Sequence, residues 1–191
     1  MRKLHKTLLA VSAALALGVS TPSILPALSA AHTVMVGGAE MFPDKNIIEN
    51  AVNSKDHTTL VAAVKAAGLV ETLQGEGPFT VFAPTNAAFE ELPEGTVDKL
   101  LQPDMKGTLQ KVLTAHVVAG KLNAKDLMEH INRGGGYTNL KTVSGDVLTA
   151  RANSKGIYLF DESGNVGWVT IADVNQSNGV IHVVNKVLLP K

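Results

Sequence analysis

The 191-residue sequence contains no cysteine, which excludes thiol catalysis, disulfide staples, cysteine-ligated zinc and lipid attachment through a processed cysteine. Aromatics are scarce, with one tryptophan, two tyrosines and five phenylalanines, so aliphatic side chains must fill the interior. Neither sign of charge is in excess. Seventeen Lys plus Arg balance seventeen Asp plus Glu, and the basic footprint of a nucleic-acid binder is missing. No stretch reaches the roughly 20 apolar residues that cross a bilayer as a helix. What is present, 45% hydrophobic and 18% charged residues, is the composition of a globular domain rather than a disordered tail or a coiled-coil rod.

Arg2, Lys3 and Lys6 precede an apolar run from Leu8 to Val19, and small residues follow at Ala27, Ser29, Ala30 and Ala31. This is the pattern of a secretory signal. Residues 1–31 read as a signal peptide cleaved after Ala31, with cleavage after Ser29 or Ala30 as alternatives, and the expected localisation is exported, periplasmic or extracellular. Removing the signal takes away three positive charges and no negative ones, leaving 14 Lys plus Arg against 17 Asp plus Glu, a net charge of −3. Residues 32–42 read as an N-terminal leader and 43–191 as a single domain. About 160 residues suffice for a core without disulfides, because such a domain buries roughly 70% of its unfolded surface.

The first half has helical periodicity. Ile47, Ile48, Ala51 and Val52 share a face after Asp44; Leu60, Val61 and Val64 form a second stripe after Asp56, and Gly68 is placed to end it. Phe79–Phe82 is a short β-rich run stopped by Pro84, after which Thr85 or Asn86 caps a helix carrying Ala87, Ala88 and Phe89. Further stripes are Val97 with Leu100 and Leu101, Leu109 with Val112 and Leu113, and Leu127 with Met128 and Ile131; Asn123 and Asp126 mark the start of the last.

From Tyr137 the period changes to that of strands, broken by turn residues at 144–146, 153–156, 161–167 and 178–179. Asn178 and Gly179 both tolerate positive φ and predict a hairpin. Both alternating sets of the final run are apolar, Ile181, Val183, Val187 and Leu189 against Val180, Val184 and Leu188, as in a central strand covered on both faces. The fold class expected is α+β, a β-sandwich or open barrel covered by helices.

The run FTVFAPTNAAFEEL at 79–92 and the run NGVIHVVNKVLLP at 178–190 resemble the two signature motifs of the fasciclin domain; HTTLVAAVKAAGLVETL at 57–73 and LTAHVVAGKL at 113–122 are similar to its intervening segments. The similarity spans about residues 43–190 and is nearest to single-domain bacterial secreted members. It implies a wedge-shaped β-sandwich flanked by several short helices, and a role in adhesion or extracellular binding. Partners would be a cell-surface protein, polysaccharide or lipid, and the chain would be a monomer with no cofactor and no enzymatic activity.

In animal fasciclin domains a Tyr-His pair and a nearby Asp-Ile pair are associated with integrin recognition. The matching positions here are Ala115-His116 and Asp173-Val174, so the phenol is gone and integrin recognition does not carry over. The resemblance nevertheless makes His116, Asp173 and Val174 the binding strip to examine first. The opposing expectation is that His116 and His182, each set among valines, satisfy backbone groups.

Other chemistry is thin. There is no Gly-x-Ser-x-Gly elbow, His-Glu-x-x-His helix or phosphate loop; Gly134–Gly136 follows a helical stripe and reads as a connector. The adjacent carboxylates Glu90-Glu91 and Asp161-Glu162 point in different directions and cannot flank a substrate. Asp161, Ser163 and Asn165 alternate as calcium ligands can, without the glycine spacing and terminal glutamate of a calcium loop. Asn175-Gln176-Ser177 is a formal glycosylation sequon. An alternative function is a periplasmic metal or small-ligand binder: a mature N-terminus at His32, with Met35, Met41 and His57, supplies soft ligands suited to copper, and an apolar cavity between helices and sheet would favour a small ligand. The plainer reading of 32–42 is a flexible leader docked through Met41 and Phe42.

Overall fold

The computed structural model describes residues 33–191; residues 1–31, expected to be a signal peptide, and His32 lie outside them. The first element is a hairpin, β1 (Val34–Val36) with β2 (Ala39–Met41). Val36 and Met41 are buried, so this part of the leader belongs to the core. Short helices follow: α1 (Ile47–Ala51), α2 (Thr58–Ala67) and α3 (Val70–Gln74). After β3 (Phe79–Pro84) come α4 (Asn86–Glu90), α5 (Thr96–Leu100), α6 (Lys106–Thr114), β4 (Val117–Ala119) and α7 (Ala124–Arg133). The rest is a strand meander: β5 (Tyr137–Lys141), β6 (Val147–Asn153), β7 (Gly156–Phe160), β8 (Val166–Gln176) and β9 (Gly179–Val184).

The caps explain where helices start. Asn46, not Asp44, opens α1: its Oδ1 accepts from Ile48 and Glu49 N–H while the Glu49 carboxylate accepts from Asn46 N–H. Asn123 and Asp126 form the same reciprocal box on α7, as their spacing predicts. Thr85 is the cap of α4. Asn86 instead ties two segments together, donating to Lys55 O and accepting from Thr59 N–H. Gly68 ends α2 in the left-handed conformation, φ 71°. Two stripes are narrower than their spacing suggests, since Val52 is 49% and Met128 38% exposed.

Seven strands form one sheet in the order β4-β3-β9-β8-β7-β6-β5, antiparallel except for the β3/β9 pair. A bridge between Val118 and Thr142 and a bond from Val143 N–H to Val117 O join the β4 edge to the end of β5. The sandwich is thus one sheet curled until its edges meet at one end, the wedge the motifs imply. Every residue of β9 is buried. Ile181 and Val183 join Val81, Ala83 and the helices α1, α2 and α6 in one core. Val184 faces Phe82, Leu148, Leu159 and the α7 residues Leu127 and Ile131 in a second core inside the curl. The double apolar alternation of the last strand is the trace of these two cores.

The turn before β9 works differently from its sequence signature. Neither Asn178 nor Gly179 has positive φ. Asn178 is buried and acts through its side chain, accepting from Ile47 N–H and donating to Leu73 O and Gly75 O at 2.8 Å each. Gly179 is required by closeness, because a Cβ there would overlap the Phe79 carbonyl.

Candidate binding surface

His116 sits in the turn between α6 and β4 and is 2% exposed. Its Nδ1 lies 2.8 Å from Val112 O and its Nε2 accepts from Leu188 N–H at 2.8 Å, which fixes a neutral ring with the proton on Nδ1. Burial pushes its pKa down to about 4, against the opposing pull of the Val112 carbonyl and the Asp161 carboxylate. Asp173 lies at an irregularity of the β8/β9 register, with φ 59°. Its Oδ1 accepts from Ala124 N–H, at the first residue of α7, at 2.6 Å. The buried His182 completes this clasp: Nε2 meets Leu122 O at 2.8 Å and Nδ1 faces Asp173 N–H at 3.4 Å. Burial lowers its pKa as well, opposed by the Leu122 carbonyl and Asp173.

His116 and Asp173 therefore do not form a surface strip. Each precedes one end of the cross-strand row Val117–Val81–Ile181–Val174, whose three strand spacings amount to roughly 14 Å. Val174 is 1% exposed, and a partner could touch neither it nor His116 without opening the fold. The two histidines satisfy backbone groups, the plainer of the two expectations for them.

The soft-ligand set is not assembled among the described residues. Met35 is 58% exposed on one face of the β1–β2 hairpin while Met41 points into the core from the other. His57 is buried, with Nδ1 on Ser54 Oγ at 2.8 Å. His32 lies outside the described residues. The calcium-like trio is also committed elsewhere. Asp161 accepts from Ser163 and Asn165 N–H through Oδ1, and from Asn165 Nδ2 and Leu189 N–H through Oδ2, leaving no lone pair turned to a cation.

An apolar cavity of about 70 Å³ lies among α1, α2, α3 and β3, with His57, Leu60, Val64 and Phe79 in its wall. It is about half the size of an engineered cavity of ~150 Å³ that admits benzene. His57 Nε2 is buried there without a hydrogen-bond partner; the Ala83 carbonyl is near enough to favour the charged ring but outside bonding geometry. Burial dominates and lowers the His57 pKa.

The outer face of the meander is unlike the rest of the molecule. Leu140, Leu148, Ala150, Ile157 and Leu159 point inward, so the alternate residues point out. The register aligns Tyr137, Arg151, Tyr158 and Trp168 in one row across β5, β6, β7 and β8. Phe160 lies in the adjoining row beside Thr149. The sole tryptophan and both tyrosines of an aromatic-poor chain thus converge on one face. Tyr158 packs 4.7 Å from Trp168 and 5.6 Å from Phe160. The Arg151 guanidinium lies 5.6 Å from both the Tyr137 and Phe160 rings, within cation–π range. Tyr137 is 46% exposed and Arg151 is exposed, while Tyr158, Phe160 and Trp168 are half-buried. Strand alternation places each of these residues on an outward position, and the register then aligns four of them in one row.

The fasciclin domain family model matches residues 55–190. "Protein sll1483" of Synechocystis sp. is 41% identical, covering 92% of this chain and 90% of its own length. "Immunogenic protein MPB70" of Mycobacterium bovis is 31% identical over 93% of this chain and 90% of its length. "Transforming growth factor-beta-induced protein ig-h3" of Sus scrofa is 38% identical, over 69% of this chain but 17% of the longer protein. Among solved structures, a FAS1 domain pair from the insect cell adhesion molecule fasciclin I aligns with TM-score 0.69 at 20% identity, covering 78% of this chain and 52% of that one. At that identity the likeness shows the fold alone.

Proposed function

This chain belongs to the fasciclin-domain family, and from that premise we propose that it is an exported, non-enzymatic adhesion or binding module whose working surface is the outer face of β5–β8. The observation that carries the reading is the row Tyr137–Arg151–Tyr158–Trp168. Aromatic and arginine side chains are the types that dominate binding energy at interfaces, and hydrogen-bonded strands hold these at fixed spacing, so little order is lost on contact. Of the strip expected at His116, Asp173 and Val174, His116 and Val174 are closed by burial, and the Asp173 carboxylate is bonded to Ala124 N–H. No described helix is long and apolar enough to cross a membrane, in keeping with a module that meets its partner in solution or at a surface.

The test is retention of the purified protein on native cell envelope, comparing the natural sequence with Tyr158→Ala/Trp168→Ala. The reading predicts saturable retention that the double variant loses by about tenfold or more, with the fold intact by circular dichroism. Equal retention of both proteins, or none of either alongside unchanged adhesion of a deletion strain, contradicts it.

A further inference from the structure

We propose that the outer meander face is a site for an acidic polysaccharide, with the aromatic row stacking on successive sugar rings and Arg151 pairing with a carboxylate carried by one of them. The inference rests on the reading of this face as the working surface and adds the class of partner.

The outward positions of β5 to β7, and of β8 as far as Thr170, include no Asp or Glu but do include Arg151 and Lys141. This holds in a chain whose acidic and basic residues are equal in number. Arg151 is in no salt bridge among the described residues. It lies between Tyr137 and Phe160, which orders the guanidinium without neutralising it, and a guanidinium so held matches the two oxygens of a carboxylate.

Shape points the same way. The row crosses four strands, three spacings of about 4.8 Å or roughly 14 Å in all. It is an extended track of side chains along the outside of the curled sheet. A sugar ring offers an apolar C–H face to an aromatic ring and hydroxyls at its edge. Here the edge is polar: the exposed Asn139 accepts from Thr149 Oγ1 at 3.0 Å, and its amide N–H₂ has no described partner. A bilayer would favour protruding apolar side chains, whereas three of these rings are half-buried.

The experiment titrates the purified protein with polygalacturonate and, separately, with neutral dextran of matched length. It follows binding by calorimetry at low and high salt, for the natural sequence, Arg151→Gln and Trp168→Ala. Saturable binding to polygalacturonate at least about tenfold tighter than to dextran is expected, weakening as salt shortens the screening length to about 3 Å at 1 M. Arg151→Gln should remove most of that preference, and Trp168→Ala should weaken binding to both polymers. Equal affinity for the two polymers with Arg151→Gln silent overturns the acidic class. Glycan binding indifferent to both substitutions overturns the site. If neither polymer binds while envelope retention still depends on Tyr158 and Trp168, the partner is not an acidic glycan and the functional reading stands. Loss of envelope retention as well removes both.

Discussion

A buried histidine whose two nitrogens are committed to backbone groups must be neutral to fold, and that gives the molecule a pH dependence with a definite sign. The pKa of His116 falls from the ordinary 6.5 to about 4 on burial. The unfolded chain therefore binds the extra proton across that interval, and stability is complete above pH 6.5 and lost as the pH falls towards 4. The loss from His116 alone is on the order of 3 kcal/mol, and His57 and His182, also lowered, act in the same direction. Urea unfolding between pH 7 and 4 measures the slope, and His116→Gln should flatten it; an unchanged slope would refute the assignment. His57 differs, because its Nε2 is unpartnered. His57→Ala alone strands the buried Ser54 hydroxyl and costs about 2 kcal/mol or more, whereas Ser54→Ala/His57→Leu removes both polar partners and should be close to neutral. At Asp173, Asn keeps the acceptor for Ala124 N–H and tolerates the positive φ, so Asp173→Asn should be nearly silent. Asp173→Ala loses both and should cost about 2 kcal/mol by the same unfolding assay.

At the scale of elements, local chemistry carried most of what the sequence made legible. The Asn123–Asp126 box, the glycine stop at 68 and the β-rich run at Phe79 are recognisable because their causes lie within a few residues. Long-range polar bonds are illegible for the opposite reason. Nothing near Asn178 announces that it will reach Ile47, Leu73 and Gly75, and nothing near Asn50 announces its bond to Gln176. These amides fasten α1 and α3 to the turn before β9, so Asn178→Ala leaves three backbone groups unpaired. It should cost at least about 3 kcal/mol, with amide exchange accelerating first in α1 and α3. Uniform acceleration throughout the sheet would instead make the turn, not the amide, the source of the effect.

For the whole molecule, the two-faced apolar pattern of β9 foretold a strand with cores on both sides, while the closure of the sheet through Val118 and Thr142 has no sequence signature, being a consequence of strand curvature. The same geometry explains why His116 and Val174, two of the three residues of the strip expected at His116, Asp173 and Val174, are internal: they lie beside or on strands covered by core on both sides. Strands β5–β7 and the first part of β8 have one core-facing side, and their other side carries the aromatic row. The proposed working surface lies there, on a scaffold without disulfides whose strands β3 and β9 are buried between two hydrophobic clusters. Trp168, the only tryptophan, stands in that row and reports on it directly. Its emission, followed while native envelope polysaccharide is added to the purified protein, should shift saturably along the same isotherm as binding measured by sedimentation. Binding that saturates while the emission stays unchanged would place the contact elsewhere and contradict the account.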